Sequence, residues 1–162
     1  MRQIGKQPIH DLVIKAIPQL WERRGSQRVE INPGSERNRS AKSEDVYPDV
    51  MGFESEEEQG RLQWVAEVET EDTVTLHKAR THWRQSAALG VPLYVIVPIG
   101  FRHLAAFIAQ HEGVPVAGFY HYWFDNHELR LIGNEGVGYD SHCAWVCRGG
   151  IVEVETEDSF CI

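Results

Sequence analysis

In the stretch RLQWVAEVET, residues 61–70, apolar and polar positions change places at almost every step. Successive side chains of an extended strand point to opposite sides, so Leu62, Trp64, Ala66, Val68 and Thr70 take one face and Gln63, Val65, Glu67 and Glu69 the other. Elsewhere the period is helical. In PIHDLVIKAIPQLWERR (8–24), Ile9, Leu12, Val13, Ala16, Ile17, Leu20 and Trp21 recur at three- and four-residue spacing and predict a first helix with one apolar stripe. Pro8 suits its first turn, Pro18 should kink or split it, and Gly25 should end it. SQRVEIN (26–32) alternates as a strand does. VYPDVMGF (46–53) reads as a second strand, which Pro48 confines to an edge or to a strand start. Between them PGSERNRSAKSED (33–45) is a long polar loop, of the kind that often carries function.

Beyond the third strand, TVTLHKARTHWRQSAAL (73–89) predicts a helix whose buried seam is Leu76, Ala79, Trp83 and Ala87, capped by Asp72 or Thr73 and ended by Gly90. PLYVIVP (92–98) is a continuous apolar run with β-branched members, suited to a central strand covered on both faces. GFRHLAAFIAQHEG (100–113) predicts a further helix with Phe101, Leu104, Ala105 and Ile108 inward. VAGFYHYWF, the turn DNHE and LRLIG form a hairpin pattern. The order is that of one α/β domain, a mixed central sheet flanked by helices, with its core in residues 1–133. Residues 134–162 are less regular and read as a C-terminal β extension packed on the same domain. Their EVETED repeats the letters of 67–72, a repeat too short to be a structural unit.

Composition narrows this picture little. A chain of 162 residues, 42% hydrophobic and 25% charged, suits one soluble globular domain. No apolar run is long enough for a membrane span, and MRQIGKQPIHD lacks the apolar segment of a signal peptide, so a cytoplasmic address without membrane association follows. The net charge of −8 weighs against nucleic-acid binding. Its distribution softens that, because Arg23, Arg24, Arg28, Arg37, Arg39 and Lys42 cluster while acids gather in ESEEEQ (54–59), at 67–72 and near the C-terminus. The basic segment fits a solvated loop and a phosphate-binding surface equally well. The three cysteines describe no disulfide framework, and His142, Cys143, Cys147 and Cys161 lack the paired spacing of a zinc set, so buried thiols are the better reading. The aromatic run Phe119, Tyr120, Tyr122, Trp123, Phe124 fits packing better than base stacking.

The chemistry concentrates in three carboxylates. Glu67 and Glu69 share a strand face, and a hairpin partner ending in Asp49 brings a third carboxylate beside them. Such a trio repels itself, and a divalent cation removes the conflict. Magnesium takes oxygen ligands and uses one or two carboxylates together with water and phosphate oxygens. A wet strand face explains the same alternation without chemistry, and Pro–Asp is also an ordinary turn dipeptide.

YPDVMGF followed by AEVET resembles the PD-(D/E)XK nuclease motif: Pro-Asp, a hairpin, then an apolar strand ending in an acidic residue, any residue and lysine. The resemblance covers residues 8 to about 124 and extends to the element order, since that restriction-endonuclease-like superfamily has an α-β-β-β-α-β core. The N-terminal part is also similar to Holliday-junction resolvases, with IHDLV at a helix acid and NPGS at a small-residue loop. The resemblance implies Mg²⁺-dependent hydrolysis of DNA phosphodiesters, with Mn²⁺ as substitute. Asp49 would be the central metal ligand, Glu67 a second and the Val68 carbonyl a third, with Asp11 or His10 in the place of the helix acid. Glu69 stands where the motif has lysine. It would act as a general base or a second-metal ligand, or else mark a catalytically inactive module that binds nucleic acid or joins an assembly. Ser35, Arg37, Arg39, Lys42, Lys78, His82 and Gln85 are the positions for phosphate or DNA contacts. DNA, a second copy of the chain and a larger protein complex are the partners implied.

Overall fold

The alternating stretch becomes the third of six strands in one sheet, and the chain meets them in spatial order, β1 to β6. The computed structural model describes residues 7–21, 28–34, 45–126 and 128–135. Helix α1 (Gln7–Trp21) leads to β1 (Arg28–Ile31), β2 (Val50–Phe53) and β3 (Leu62–Val68), an antiparallel meander. The chain then crosses over through a second helix to β4 (Leu93–Pro98), parallel to β3, and through α3 (Arg102–Glu112) to β5 (Gly118–Asp125), parallel to β4. An antiparallel hairpin to β6 (Glu128–Glu135) completes a mixed α/β architecture. The second helix, α2, is three consecutive segments: Leu76–Lys78, a π turn over Ala79–Trp83, and Arg84–Ala87. The wide turn is explicit in the backbone, where the Arg84 N–H donates to the Ala79 carbonyl, five residues back. No helix among the described residues is long and apolar enough to cross a membrane.

The two periodicities sort side chains into two cores. Val13, Ile14 and Ile17 of α1 pack on Val50, Trp64, Ala66, Val68, Ile96 and Tyr120 on one side of the sheet. Ala79, Trp83, Ala105 and Ile108 pack on Met51, Val65, Val95 and Val97 on the other. Each buried aliphatic or aromatic side chain contributes on the order of 1.5–3 kcal/mol, so both faces of β3 and β4 are closed by hydrophobic burial. Gly52 is required here: a Cβ at that position would lie 2.1 Å from the Trp64 indole.

Several expected details are corrected. Ile9 and Leu12 belong to the predicted stripe of α1 but are exposed, and Ile14 is buried in their place. Pro18 sits inside α1 without splitting it. Leu76 and Leu104 are exposed rather than inward, while Ala87 packs partly buried against the core as expected and Ser86 is buried beside it. The α2 cap is Thr75, whose hydroxyl accepts from the Lys78 N–H, rather than Asp72 or Thr73. Leu62 joins the core opposite Trp64, because the β2–β3 register shifts between Gly52 and Phe53 and skips Gln63. Ser35, Arg37, Arg39, Lys42, Gly25, the extension from 136 onward and its histidine and cysteines lie outside the described residues.

Candidate functional site

The ends of β1, β2 and β3 meet at one place. The ladders pair Ile31 with Val50 and Val50 with Ala66, so the next step sets Asn32, Asp49 and Glu67 side by side. Pro48 cannot donate to a ladder, and β2 begins only at Val50. Asn32 holds this turn: its N–H donates to the Asp49 carbonyl at 2.9 Å and its Nδ2 to the Pro48 carbonyl at 2.8 Å. The Asp49 side chain then finishes the sheet. Its Oδ2 accepts the Val68 N–H at 2.8 Å, a donor that even-numbered β3 residues otherwise direct to β2.

From the α1 side, His10 and Asp11 close on the same point. His10 Nε2 lies 3.3 Å from Asp49 Oδ2, and its Nδ1 lies 3.3 Å from Asp11 Oδ1. Asp11 Oδ1 also accepts the Gly34 N–H at 2.8 Å, which ties the NPGS loop to the helix. Gly34 has φ of 65°, a conformation glycine adopts without a Cβ clash. Burial disfavours the imidazolium of His10, but the bonds and charges of Asp49 and then Asp11 outweigh it and raise its pKa.

Glu67 and Glu69 lie under α2, with Glu67 opposite Asp49 in the register. The wet-face explanation of their alternation is overturned: Glu67 is 4% and Glu69 1% exposed. Ser86 Oγ donates to Glu67 Oε1 at 2.5 Å, and the Trp83 indole donates to Glu69 Oε1 at 2.7 Å. Burial, followed by the Asp49 charge, pushes the Glu67 pKa well above the ordinary carboxylate value, against the Ser86 bond. Burial also raises Glu69, opposed by the Lys78 charge and by bonds from the Thr73 hydroxyl and the Trp83 indole. Both shifts favour the protonated acids, the usual answer of buried carboxylates without a cation.

The predicted residues therefore fall into groups. Asp49, Glu67, the Val68 backbone, His10 and Asp11 come together at the strand ends. Glu69 is drawn into the α2 core instead, with its carbonyl accepting the Tyr122 hydroxyl at 3.0 Å. The charge of Lys78 bears on both glutamates, and the charge of Asp49 bears on His82. Gln85 is exposed one residue before Ser86. Sequence reasoning missed Ser86 and Tyr122 as partners of the acids; the three-residue step from Trp83 was the available sign for Ser86. No group of three or more histidine, cysteine, aspartate or glutamate side chains among the described residues is arranged to hold a metal ion. Compared with protein-family models, with curated proteins and with solved structures, the chain finds no match in any of the three.

Proposed function

We propose that this chain is a metal-dependent endonuclease that hydrolyses DNA phosphodiester bonds on a restriction-endonuclease-like core. The observation that carries the reading is Asp49 set across from a buried Glu67, two carboxylates close enough that the charge of one raises the pKa of the other. Maintaining such a pair is costly unless a ligand uses it. The donor set fits magnesium. Asp49 keeps Oδ1 outside its bonds to Val68 and His10, and Glu67 keeps Oε2 outside its bond to Ser86. One or two carboxylate oxygens, completed by water and phosphate, are what Mg²⁺ takes, with the Val68 carbonyl as a further ligand. When bound, the ion supplies Lewis-acid stabilisation of charge on the phosphate and the attacking oxygen. The chain's own contribution is position: Asn32 fixes the Asp49 backbone, and Ser86 orients Glu67.

The test is nicking of supercoiled plasmid in Mg²⁺ and Mn²⁺. Asp49→Asn and Glu67→Gln should each lower the rate on the order of 10³-fold, the several kcal/mol of metal-supplied stabilisation converted at about 1.4 kcal/mol per tenfold. Unchanged rates in both variants, with circular dichroism confirming their folds, would place the site elsewhere. A second reading, an inactive module that binds nucleic acid or joins an assembly, is favoured by one fact: Glu69, at the motif's lysine position, is held in the core by Trp83. A parent without cleavage that still retards DNA on a gel would select it.

A further inference from the structure

A hydrolase needs a group to take the proton of the attacking water, and Glu69 is badly placed for it. It is 1% exposed, one carboxyl oxygen takes the Trp83 indole, and the other is closed off from solvent. Its main chain is equally tied, N–H to the Ile96 carbonyl at 2.8 Å and carbonyl to the Tyr122 hydroxyl. A general base must come within hydrogen-bond reach of the water. The adjacent helix offers another group. Ser86 on Glu67 and Trp83 on Glu69 pin α2 against the acids at two points. His82 precedes Ser86, the residue that reaches Glu67, by four positions on the same helix, the spacing of side-chain neighbours, and it stays in contact with solvent. We infer that His82, not Glu69, takes the proton from the water that attacks the phosphodiester, an inference that rests on the hydrolysis proposed above.

The surroundings suit the task. The charged and titratable groups that bear on His82 are Lys78 and His77 from its own helix and Asp49 from the start of β2. Burial and then the Lys78 charge lower its pKa, against Asp49, which keeps the imidazole neutral near pH 7, the form a base requires. In the step, the water O–H bond breaks and its proton passes to the free imidazole nitrogen. The oxygen's electron pair forms the new P–O bond, the bond to the leaving alkoxide breaks, and solvent protonates that alkoxide. Lys78, whose charge bears on both glutamates, is the nearby cation for the phosphate.

The experiment measures plasmid nicking by the full chain from pH 5 to 9 in Mg²⁺ and Mn²⁺, for the parent, His82→Gln, His82→Ala and Glu69→Gln. His82 is exposed, so its variants should melt with the parent. The expected result is a loss of about 10²-fold or more for both His82 variants, the typical contribution of a general base. The acidic limb of the pH–rate profile should vanish with it, and added imidazole should partly restore His82→Ala. Glu69→Gln should keep the limb. If His82→Gln retains the parent's rate and limb, or if both variants slow with the limb intact and imidazole does not rescue His82→Ala, His82 is not the base. A parent that cleaves no duplex, single-stranded or branched DNA removes the nuclease reading itself and this inference with it.

Discussion

On the α1 side of the strand ends, Asp49 and Asp11 share an imidazole between them. On the α2 side, Glu67 and Glu69 have a serine hydroxyl and an indole for partners, and almost no solvent. Both pairs face the same difficulty, negative charge gathered in little space, and they meet it by different means. The aspartates hold an imidazole whose pKa they raise, and burial raises the pKa of both glutamates. The lesson concerns what each pair can exchange. If the proposed metal site exists, an ion there would have to displace any proton on Glu67, so its binding should release protons and tighten as pH rises.

The comparison breaks most sharply at the roof over the glutamates. Trp83 is fully buried, so Trp83→Ala should cost about 3–5 kcal/mol in urea unfolding. Trp83→Phe keeps most of the packing and removes only the donor to Glu69, which should cost about 1–3 kcal/mol. Equal losses in the two variants would mean that the indole N–H carries the whole effect and packing none. The next effect is pH dependence. Glu67 and Glu69 have raised pKa values in the folded chain, so their contribution is complete below the unfolded value of about 4.3 and is lost as pH rises through the raised folded values. Stability of the metal-free protein should fall from pH 5 upward, by at most about 1.4 kcal/mol per pH unit for each proton, and Glu67→Gln should flatten that fall. A flat parent profile would show that the glutamates are ionised. The smallest effect belongs to the other pair. The His10 contribution is complete below its unfolded pKa of about 6.5 and fades above its raised folded value. His10→Gln should therefore cost about 0.5–1.5 kcal/mol at pH 6 and less at pH 9, leaving the lower window to the glutamates. An equal cost at both values would remove charge from the account of this pair.

Much of this arrangement could be read before the fold was known, because it depends on parity and period. That Glu67 and Glu69 share a face, that Ala79 and Trp83 form a seam and that β4 is covered on both sides follow from spacing alone. What covers a face does not. Alternation reports which side chains travel together, and only α2 lying across β3 turned a wet face into a buried one. Ser86 escaped notice because serine on a helix reads as solvent-facing until its partner is known. Leu12, Leu76 and Leu104 misled in the opposite sense, since an apolar residue on a helix surface is common. The His10–Asp49 contact joins positions 39 residues apart, and no local pattern predicts it. The π turn, too, carries no mark in the letters ARTHW.

The bond from the Val68 N–H to Asp49 has a further use. A side chain, rather than the neighbouring strand, completes that rung of the sheet, so the protection of a single backbone proton depends on where one carboxylate points. Any ligand that draws Asp49 away must leave the Val68 amide open to hydrogen exchange, and any that locks it in place must shield it. If the proposed metal site exists, exchange of this one amide in a metal titration would report its occupancy without a substrate, a label or a rate.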